Sequence, residues 1–126
     1  MDLGIQMFKV MLIEDDLTMV SLLTTLLNLE GFMVKTPANN NMDGLLNAVL
    51  TERPQIALVD VNLRIGNGLE LVREIRREPE IKETRILMAS GLNLKKECLQ
   101  AGADGFILKP FMPEELIKLI HKTIRQ

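Results

Sequence analysis

The chain has 126 residues, which is enough for one domain with a continuous hydrophobic core and too few for two. With 47% apolar and 25% charged residues it has the composition of a soluble globular protein, and its formal net charge of −2 gives no reason to expect a general affinity for nucleic acid or anionic membrane. Cys98 is the only cysteine, which excludes an intrachain disulfide and favours a reducing cytoplasm. Residues 1–7 lack the features of a signal peptide, and no apolar run reaches the roughly 20 residues of a transmembrane helix.

Short apolar runs alternate with amphipathic segments along the chain. The first run, residues 8–13, stops at three acids and precedes a helix predicted over residues 17–30, with Gly31 as its stop. The apolar positions of that helix are Met19, Leu22, Leu23, Leu26 and Leu27. A second strand over residues 32–35 leads to a helix over residues 42–50.

The third apolar run is rich in β-forming residues and ends at Asp60, before a loop with two glycines. The remaining predicted elements are a helix over 69–77, a strand over 85–89, a short helix over 93–100, a strand over 106–108 and a last helix with Pro113 in its first turn. Five strand-then-helix repeats predict an α/β fold with a parallel sheet covered by helices on both faces.

Polar side chains follow four of the five predicted strands. They are Glu14, Asp15 and Asp16 after the first, Asp60 after the third, Ser90 after the fourth and Lys109 after the fifth. Because the carboxyl ends of parallel strands meet at one edge of a sheet, we expect these side chains to lie close together.

This set of side chains predicts phosphoryl chemistry. Clustered carboxylates would raise one another's pKa unless a cation intervened, and a few oxygen ligands with room for water suit Mg²⁺. The hydroxyl of Ser90 and the ammonium of Lys109 are suited to phosphoryl oxygens. Asp60 is the natural nucleophile, since a carboxylate can hold a phosphoryl group as an acyl phosphate.

Each residue also has a simpler structural explanation. Aspartate is a favoured helix N-cap, and Ser90 and Lys109 each precede a residue typical of turns. Their joint occurrence at the strand ends favours the functional interpretation. His121 is expected to be a surface residue rather than a phosphate carrier, and Cys98 a packing residue.

Taken in order, these motifs resemble those of receiver domains of two-component response regulators, as in chemotaxis regulators, over the chain from Phe8 onward. Residues 12–16 resemble the acidic strand end, 60–62 with Gly68 the phospho-acceptor loop, 88–91 the Ser/Thr motif, 101–106 the turn before the aromatic switch residue, and 109–111 the lysine motif with its usually cis Lys-Pro bond. Each motif is weak alone, but five at the right spacing are specific.

The resemblance implies a flavodoxin-like (βα)5 three-layer sandwich whose five-stranded parallel sheet has the order 2-1-3-4-5. Residues 1–7 would be an N-terminal extension and residues 8–126 the receiver domain. The implied metal ligands are Glu14, Asp15, Asp60 and the backbone carbonyl of Asn62, which would hold Mg²⁺.

The resemblance also implies a switch. A sensor histidine kinase or phosphotransfer protein would donate a phosphoryl group to Asp60, Ser90 and Lys109 would then contact it, and Phe106 would follow Ser90 inward. The changed surface would be recognised by a downstream effector protein. The chain would be a cytoplasmic, non-enzymatic signalling protein that assists its own phosphorylation and dephosphorylation, without direct contact with nucleic acid or membrane.

Two positions depart from the family pattern. Arg64 stands where many members carry proline, which predicts a less rigid loop. Only ten residues separate Ser90 from Ala101, about three fewer than usual and close to one helical turn, so we expect a shortened fourth helix and an altered output face. Gly91 is expected to leave the phosphoryl site open to donors and water.

Other interpretations of the same residues stay open. The main one is a stand-alone phospho-accepting module, and a receiver taken from a longer regulator or hybrid kinase is compatible with the same residues. A pseudo-receiver that docks without phosphorylation is disfavoured by the intact acids and lysine. A haloacid-dehalogenase-type phosphatase needs a second Asp where this chain has Asn62, and a flavin carrier usually needs aromatic rings, whereas the chain has neither Trp nor Tyr.

Overall fold

The computed structural model describes residues 8–38 and 41–126, so the predicted N-terminal extension lies outside the described residues. In chain order the elements are β1 (Lys9–Ile13), α1 (Leu17–Leu29), β2 (Met33–Lys35), α2 (Met42–Glu52), β3 (Ile56–Asp60), β4 (Asn62–Leu63), β5 (Gly66–Asn67), α3 (Gly68–Arg77), β6 (Arg85–Ser90), α4 (Lys95–Ala101), β7 (Gly105–Leu108) and α5 (Pro113–Ile124). Within these ranges no helix is long and apolar enough to cross a bilayer.

The central sheet has five parallel strands in the order β2-β1-β3-β6-β7. Because β6 and β7 are its fourth and fifth strands along the chain, the predicted order 2-1-3-4-5 is confirmed. The strand β3 lies at the centre, where all five of its residues are buried. All five carboxyl ends lie on one edge, as the site prediction requires.

Helices cover both faces of this sheet. Side chains alternate along each strand, so Met11 and Ile13 of β1 belong to the core that includes residues of α2, α3 and α4, while Val10 and Leu12 belong to the core with α1 and α5. Cys98 is buried in the first core, which agrees with its predicted packing role. The domain therefore has the expected three layers.

The helix α1 differs in detail from its predicted apolar stripe. Leu23 and Leu27 are its buried residues, whereas Leu22, which shares the helical spacing of the apolar positions, is 51% exposed. Helix α1 ends before Gly31, whose φ of 94° is readily adopted only without a side chain. Its end also meets α5, where His121 lies 3.4 Å from Glu30 as a partly exposed surface residue.

Two further elements lie beside the site edge. The loop after Asp60, predicted only as a turn, contains the antiparallel two-stranded hairpin of β4 and β5. Helix α4 has seven residues and no side-chain hydrogen bond at its N-cap, Leu94, so the expected shortening is present. It begins at Lys95, two residues later than predicted, and buries only Cys98 and Ala101.

Candidate functional site

The three acids after β1 do not share one role. The Asp16 carboxylate caps α1, because it accepts the backbone N–H groups of Thr18 and Met19 at 3.0 and 3.2 Å. Glu14 is buried, and its Oε2 accepts the backbone N–H groups of Asp15 and Asp16 at 2.9 and 3.1 Å. The helix-cap interpretation therefore holds for one acid of the triplet, and the other two belong to the site edge.

Asp60 ends the central strand and is 8% exposed. Its Oδ1 accepts the backbone N–H of Asn62 at 3.1 Å, and its Oδ2 lies 2.9 Å from Lys109 Nζ. The same ammonium lies 2.6 Å from Glu14 Oε1. One lysine from the end of β7 thus bridges carboxylates from the ends of β1 and β3.

The electrostatics of this trio follow from its burial. Burial raises the pKa of the Asp60 carboxyl, the hydrogen bond from Lys109 lowers it, and the negative charge of Glu14 raises it, with a net upward shift. Burial alone would lower the pKa of the Lys109 ammonium, but its hydrogen bonds with Glu14 and Asp60 outweigh that effect and raise it. The lysine stays charged, and the Asp60 carboxylate gains from any further cation placed beside it.

Ser90 lies at the end of β6 and is 1% exposed. In the register of β3 and β6, Asp60 is paired with Ala89, so Ser90 is one residue further along the neighbouring strand. Its Oγ accepts the backbone N–H of Leu92 at 3.1 Å. A Cβ added at Gly91 would have nothing within 4 Å, which agrees with an open approach beside this hydroxyl.

Phe106 lies deeper in the sheet than the polar residues. It pairs with Met88 in the register of β6 and β7 and packs, half-buried, against the core that contains Cys98. Lys109 follows three residues later, and the Lys109–Pro110 peptide bond is cis. The structure therefore places Phe106 below the edge and on the α4 side of the sheet.

Two features of the site were missed in the sequence. An added Cβ at Gly68 would lie 2.2 Å from the Asp60 carbonyl oxygen, so only glycine lets α3 begin this close to the end of β3. The tip of the hairpin also reaches the acidic corner, where the Arg64 backbone N–H donates to Asp15 Oδ2 at 2.5 Å. The Asn67-Gly68 pair before the apolar stripe of α3 could have predicted the close contact at Gly68. Nothing in the sequence near Arg64 predicts its contact with Asp15.

The donor set at this edge suits a hard cation. No three Asp, Glu, His or Cys side chains form a ready-made metal cluster within the described ranges 8–38 and 41–126, and Lys109 lies between two of the acids. Mg²⁺ needs no such cluster, because it binds through one or two carboxylates and keeps several waters. The oxygen donors of Glu14, Asp15 and Asp60 and the Asn62 carbonyl are of the type that this ion binds. Their role as its ligands stays a prediction.

Comparison with known families identifies the domain. The family model for the response regulator receiver domain matches residues 10–121. The chain belongs to this family. Phosphorylation-based signalling in two-component systems is thus supported for the receiver domain at the level of its family.

Known proteins resemble this receiver domain in both sequence and structure. It is 38% identical over 121 residues, 95% of the chain, to the transcriptional regulatory protein CpxR homolog of Haemophilus influenzae, covering 52% of that protein. The chain spans about half the length of the curated relatives it matches. These relatives are named as transcriptional regulatory proteins.

Solved structures show the same fold. The chemotaxis response regulator CheY4 of Vibrio cholerae matches with a TM-score of 0.85 and 29% identity, over 94% of this chain and 99% of that one. The receiver domain of the sensor histidine kinase PA1611 of Pseudomonas aeruginosa matches with a TM-score of 0.83 and 24% identity, over 96% and 100%. In that neighbour a magnesium ion is coordinated in the active-site cleft. The predicted flavodoxin-like fold is confirmed.

Proposed function

We propose that this receiver domain is a phosphorylation switch in which Asp60 accepts a phosphoryl group from the phosphohistidine of a sensor histidine kinase or phosphotransfer protein. The observation that carries the proposal is the Lys109 ammonium, 2.9 Å from the buried Asp60 carboxylate and 2.6 Å from Glu14. A cation held between two acids at the end of a central strand is suited to receive a phosphoryl group beside the nucleophile.

The reaction transfers one group between two partners. A carboxylate oxygen of Asp60 attacks phosphorus, a P–O bond forms, and the P–N bond to the donor imidazole breaks with its electron pair returning to nitrogen. The product is an acyl phosphate on Asp60. Because burial raises the pKa of Asp60 and disfavours negative charge here, the acyl phosphate would depend on positive charge from Lys109 and a bound cation.

The residues around Asp60 supply the remaining contacts. Glu14, Asp15, Asp60 and the Asn62 carbonyl would hold Mg²⁺, which supplies charge neutralisation at the phosphoryl oxygens when bound. Lys109 would exchange its hydrogen bond with the Asp60 carboxylate for one to a phosphoryl oxygen.

Ser90 and Phe106 would change conformation when Asp60 is phosphorylated. The Ser90 hydroxyl would turn from the Leu92 N–H, which it now accepts at 3.1 Å, and donate to a phosphoryl oxygen. Phe106 is half-buried below this edge, paired with Met88 on the strand that carries Ser90, and would follow into the vacated space. The altered surface around α4, β7 and α5 would then be bound by an effector.

The partners of this domain are protein rather than nucleic acid under this proposal. Its net charge of −2 lacks the positive field that phosphate backbones attract. Since the curated relatives are transcriptional regulators of about twice this length, we infer that DNA contact belongs to an effector part or partner outside this domain. The domain itself is a signalling module of the cytoplasm that assists its own phosphorylation without turning over a separate substrate.

A direct test uses acetyl phosphate with Mg²⁺ and intact-mass spectrometry. We expect one phosphoryl adduct on the wild type and none on Asp60→Asn. Asp16→Asn is the matched control, because asparagine caps a helix as well as aspartate does and the Asp16 carboxylate accepts the first N–H groups of α1. Absence of the adduct in the wild type, or an equal adduct in Asp60→Asn, would contradict the proposal and favour a docking module without phosphorylation.

A further inference from the structure

We propose that Arg64 positions the metal ligand Asp15 through its backbone N–H. This inference rests on the proposed function, because it concerns one of the residues that would hold Mg²⁺. The supporting contact is the hydrogen bond from the Arg64 N–H to Asp15 Oδ2, at 2.5 Å between residues 49 positions apart. It joins the tip of the acceptor-loop hairpin to the acidic corner after β1.

The hairpin that carries Arg64 is also fixed at its base. The Asn62 N–H donates to Asp60 Oδ1 at 3.1 Å, and the Gly68 N–H donates to the Val61 carbonyl at 2.7 Å. Arg64 occupies the turn between Leu63 and Gly66, which are paired in the ladder. The loop is therefore held at both ends, and the bond to Asp15 is the contact that extends to a second strand end.

The hydrogen bond to Oδ2 fixes the rotamer of the Asp15 side chain. The other carboxylate oxygen, Oδ1, is then the one that would bind the ion. Bonds of an N–H to an ionised carboxylate are about twice as strong as neutral ones, and partners that orient a metal ligand change metal affinity. We therefore assign to the loop after Asp60 the role of orienting the Asp15 side chain before Mg²⁺ binds.

This contact depends on the residue type at position 64. Proline has no backbone N–H and cannot make the bond, whereas any other residue can. Arg64 in place of proline was expected to make the loop less rigid. The hydrogen bond to Asp15, which proline could not donate, offsets that loss. The guanidinium is a separate feature, since Arg64 is exposed and lines a cavity of about 330 Å³ together with Glu14 and Asp15.

Two variants separate the N–H from the guanidinium. Arg64→Ala and Arg64→Pro both remove the positive charge, but only proline removes the N–H, and Arg64 lacks the positive φ that would exclude proline. We expect the Kd for Mg²⁺, measured by isothermal titration calorimetry without a phosphodonor, to be about tenfold higher in Arg64→Pro than in Arg64→Ala. The concentration of Mg²⁺ that half-saturates phosphorylation by acetyl phosphate should rise by the same factor, with the rate at saturating Mg²⁺ recovered.

The bond can also be observed without the proline variant. In the wild type, the Arg64 amide should be protected from hydrogen exchange, and Asp15→Ala should remove that protection. This measurement decides the inference if Arg64→Pro does not fold, which circular dichroism would show.

The outcomes separate this inference from the proposed function. Equal Mg²⁺ affinity in the folded proline and alanine variants, tighter binding in the proline variant, or an unprotected Arg64 amide in the wild type would overturn the inference alone. A wild type that binds no Mg²⁺ would overturn the proposed function, and the inference with it.

Discussion

Lys109 is the residue on which the contacts of the site converge. Its ammonium places one positive charge between Glu14 and Asp60, two buried carboxylates that would otherwise repel each other. Removing the cation of such a group leaves two like charges close together in a buried site, which is more damaging than the loss of a surface ion pair. The lysine therefore has a structural effect as well as its proposed role in phosphoryl transfer.

We predict that Lys109→Ala lowers the free energy of unfolding by about 2 kcal/mol in the absence of Mg²⁺, a value discounted for the partial exposure of Lys109. Addition of Mg²⁺ should restore part of this loss, because the ion places positive charge beside the same acids. Urea unfolding with and without Mg²⁺ measures both effects. The exposed Lys96→Ala is the control, for which we expect a change within about 0.5 kcal/mol. An equal effect in the two variants would contradict the prediction.

The raised pKa of Asp60 gives a second prediction at this scale. A carboxyl whose pKa is raised by folding stabilises the folded state below its ordinary pKa of 3.8, and this contribution is lost as the pH rises through the folded-state pKa. Asp60→Asn, which cannot ionise and can still accept a hydrogen bond from Lys109, should therefore be more stable than the wild type at pH 7 without Mg²⁺. The difference should shrink as the pH falls below the folded-state pKa. Urea unfolding as a function of pH would show the opposite trend if Asp60 were stabilised as an anion.

Among the elements, α1 shows what a periodic pattern leaves unresolved. Leu22 and Leu23 are adjacent, both fit an apolar stripe of helical period, and their sequence does not decide which of them enters the core. Packing under α5 and the sheet decides it, since Leu23 is 2% exposed and Leu22 is 51% exposed. The strand-helix alternation, by contrast, follows from local patterns.

This difference predicts unequal effects of the same substitution. Leu23→Ala should lower the free energy of unfolding by about 2–5 kcal/mol, because it leaves a cavity in the core. Leu22→Ala should change it by less than about 1 kcal/mol. Chemical denaturation of the two variants compares them directly, and a larger effect at Leu22 would show that its exposed position is wrong.

The hairpin of β4 and β5 explains a further limit of sequence reasoning. Each strand has two residues, which is too few for a period to be visible, and the hairpin is held by Gly68 and by the distant Asp15. The order of the five main strands could be predicted from the family resemblance, and the gathering of the acids, Ser90 and Lys109 from strand ends alone. The different roles of the three acids, with Asp16 capping α1 and Glu14 and Asp15 at the site, could not be predicted from the sequence. They depend on which N–H groups each carboxylate contacts.

For the whole molecule, the fold ties the proposed metal site to the native state. The proposed ligands come from the ends of β1 and β3 and the loop after β3, so they meet only when the sheet has formed. A ligand that binds only the folded state raises its stability with concentration.

We therefore expect the melting temperature of the wild type to rise with increasing MgCl₂, and to rise less in Asp15→Asn, which keeps an acceptor for the Arg64 N–H but loses a charge. Differential scanning calorimetry at constant ionic strength, adjusted with NaCl, measures the shift. Equal shifts in both proteins would place the stabilising ion elsewhere on the surface.

Lys109 contacts the neighbouring strand through its backbone as well as through its side chain. Its N–H donates to the Ser90 carbonyl at 2.8 Å while its ammonium holds Glu14 and Asp60, so the ends of four strands meet at a single residue. Pro113, the first residue of α5, follows four positions later along the chain. A displacement of this lysine therefore reaches α5 through covalent bonds, whereas it reaches α4 only through packed side chains. Connectivity thus favours α5 over the shortened α4 as the carrier of the signal.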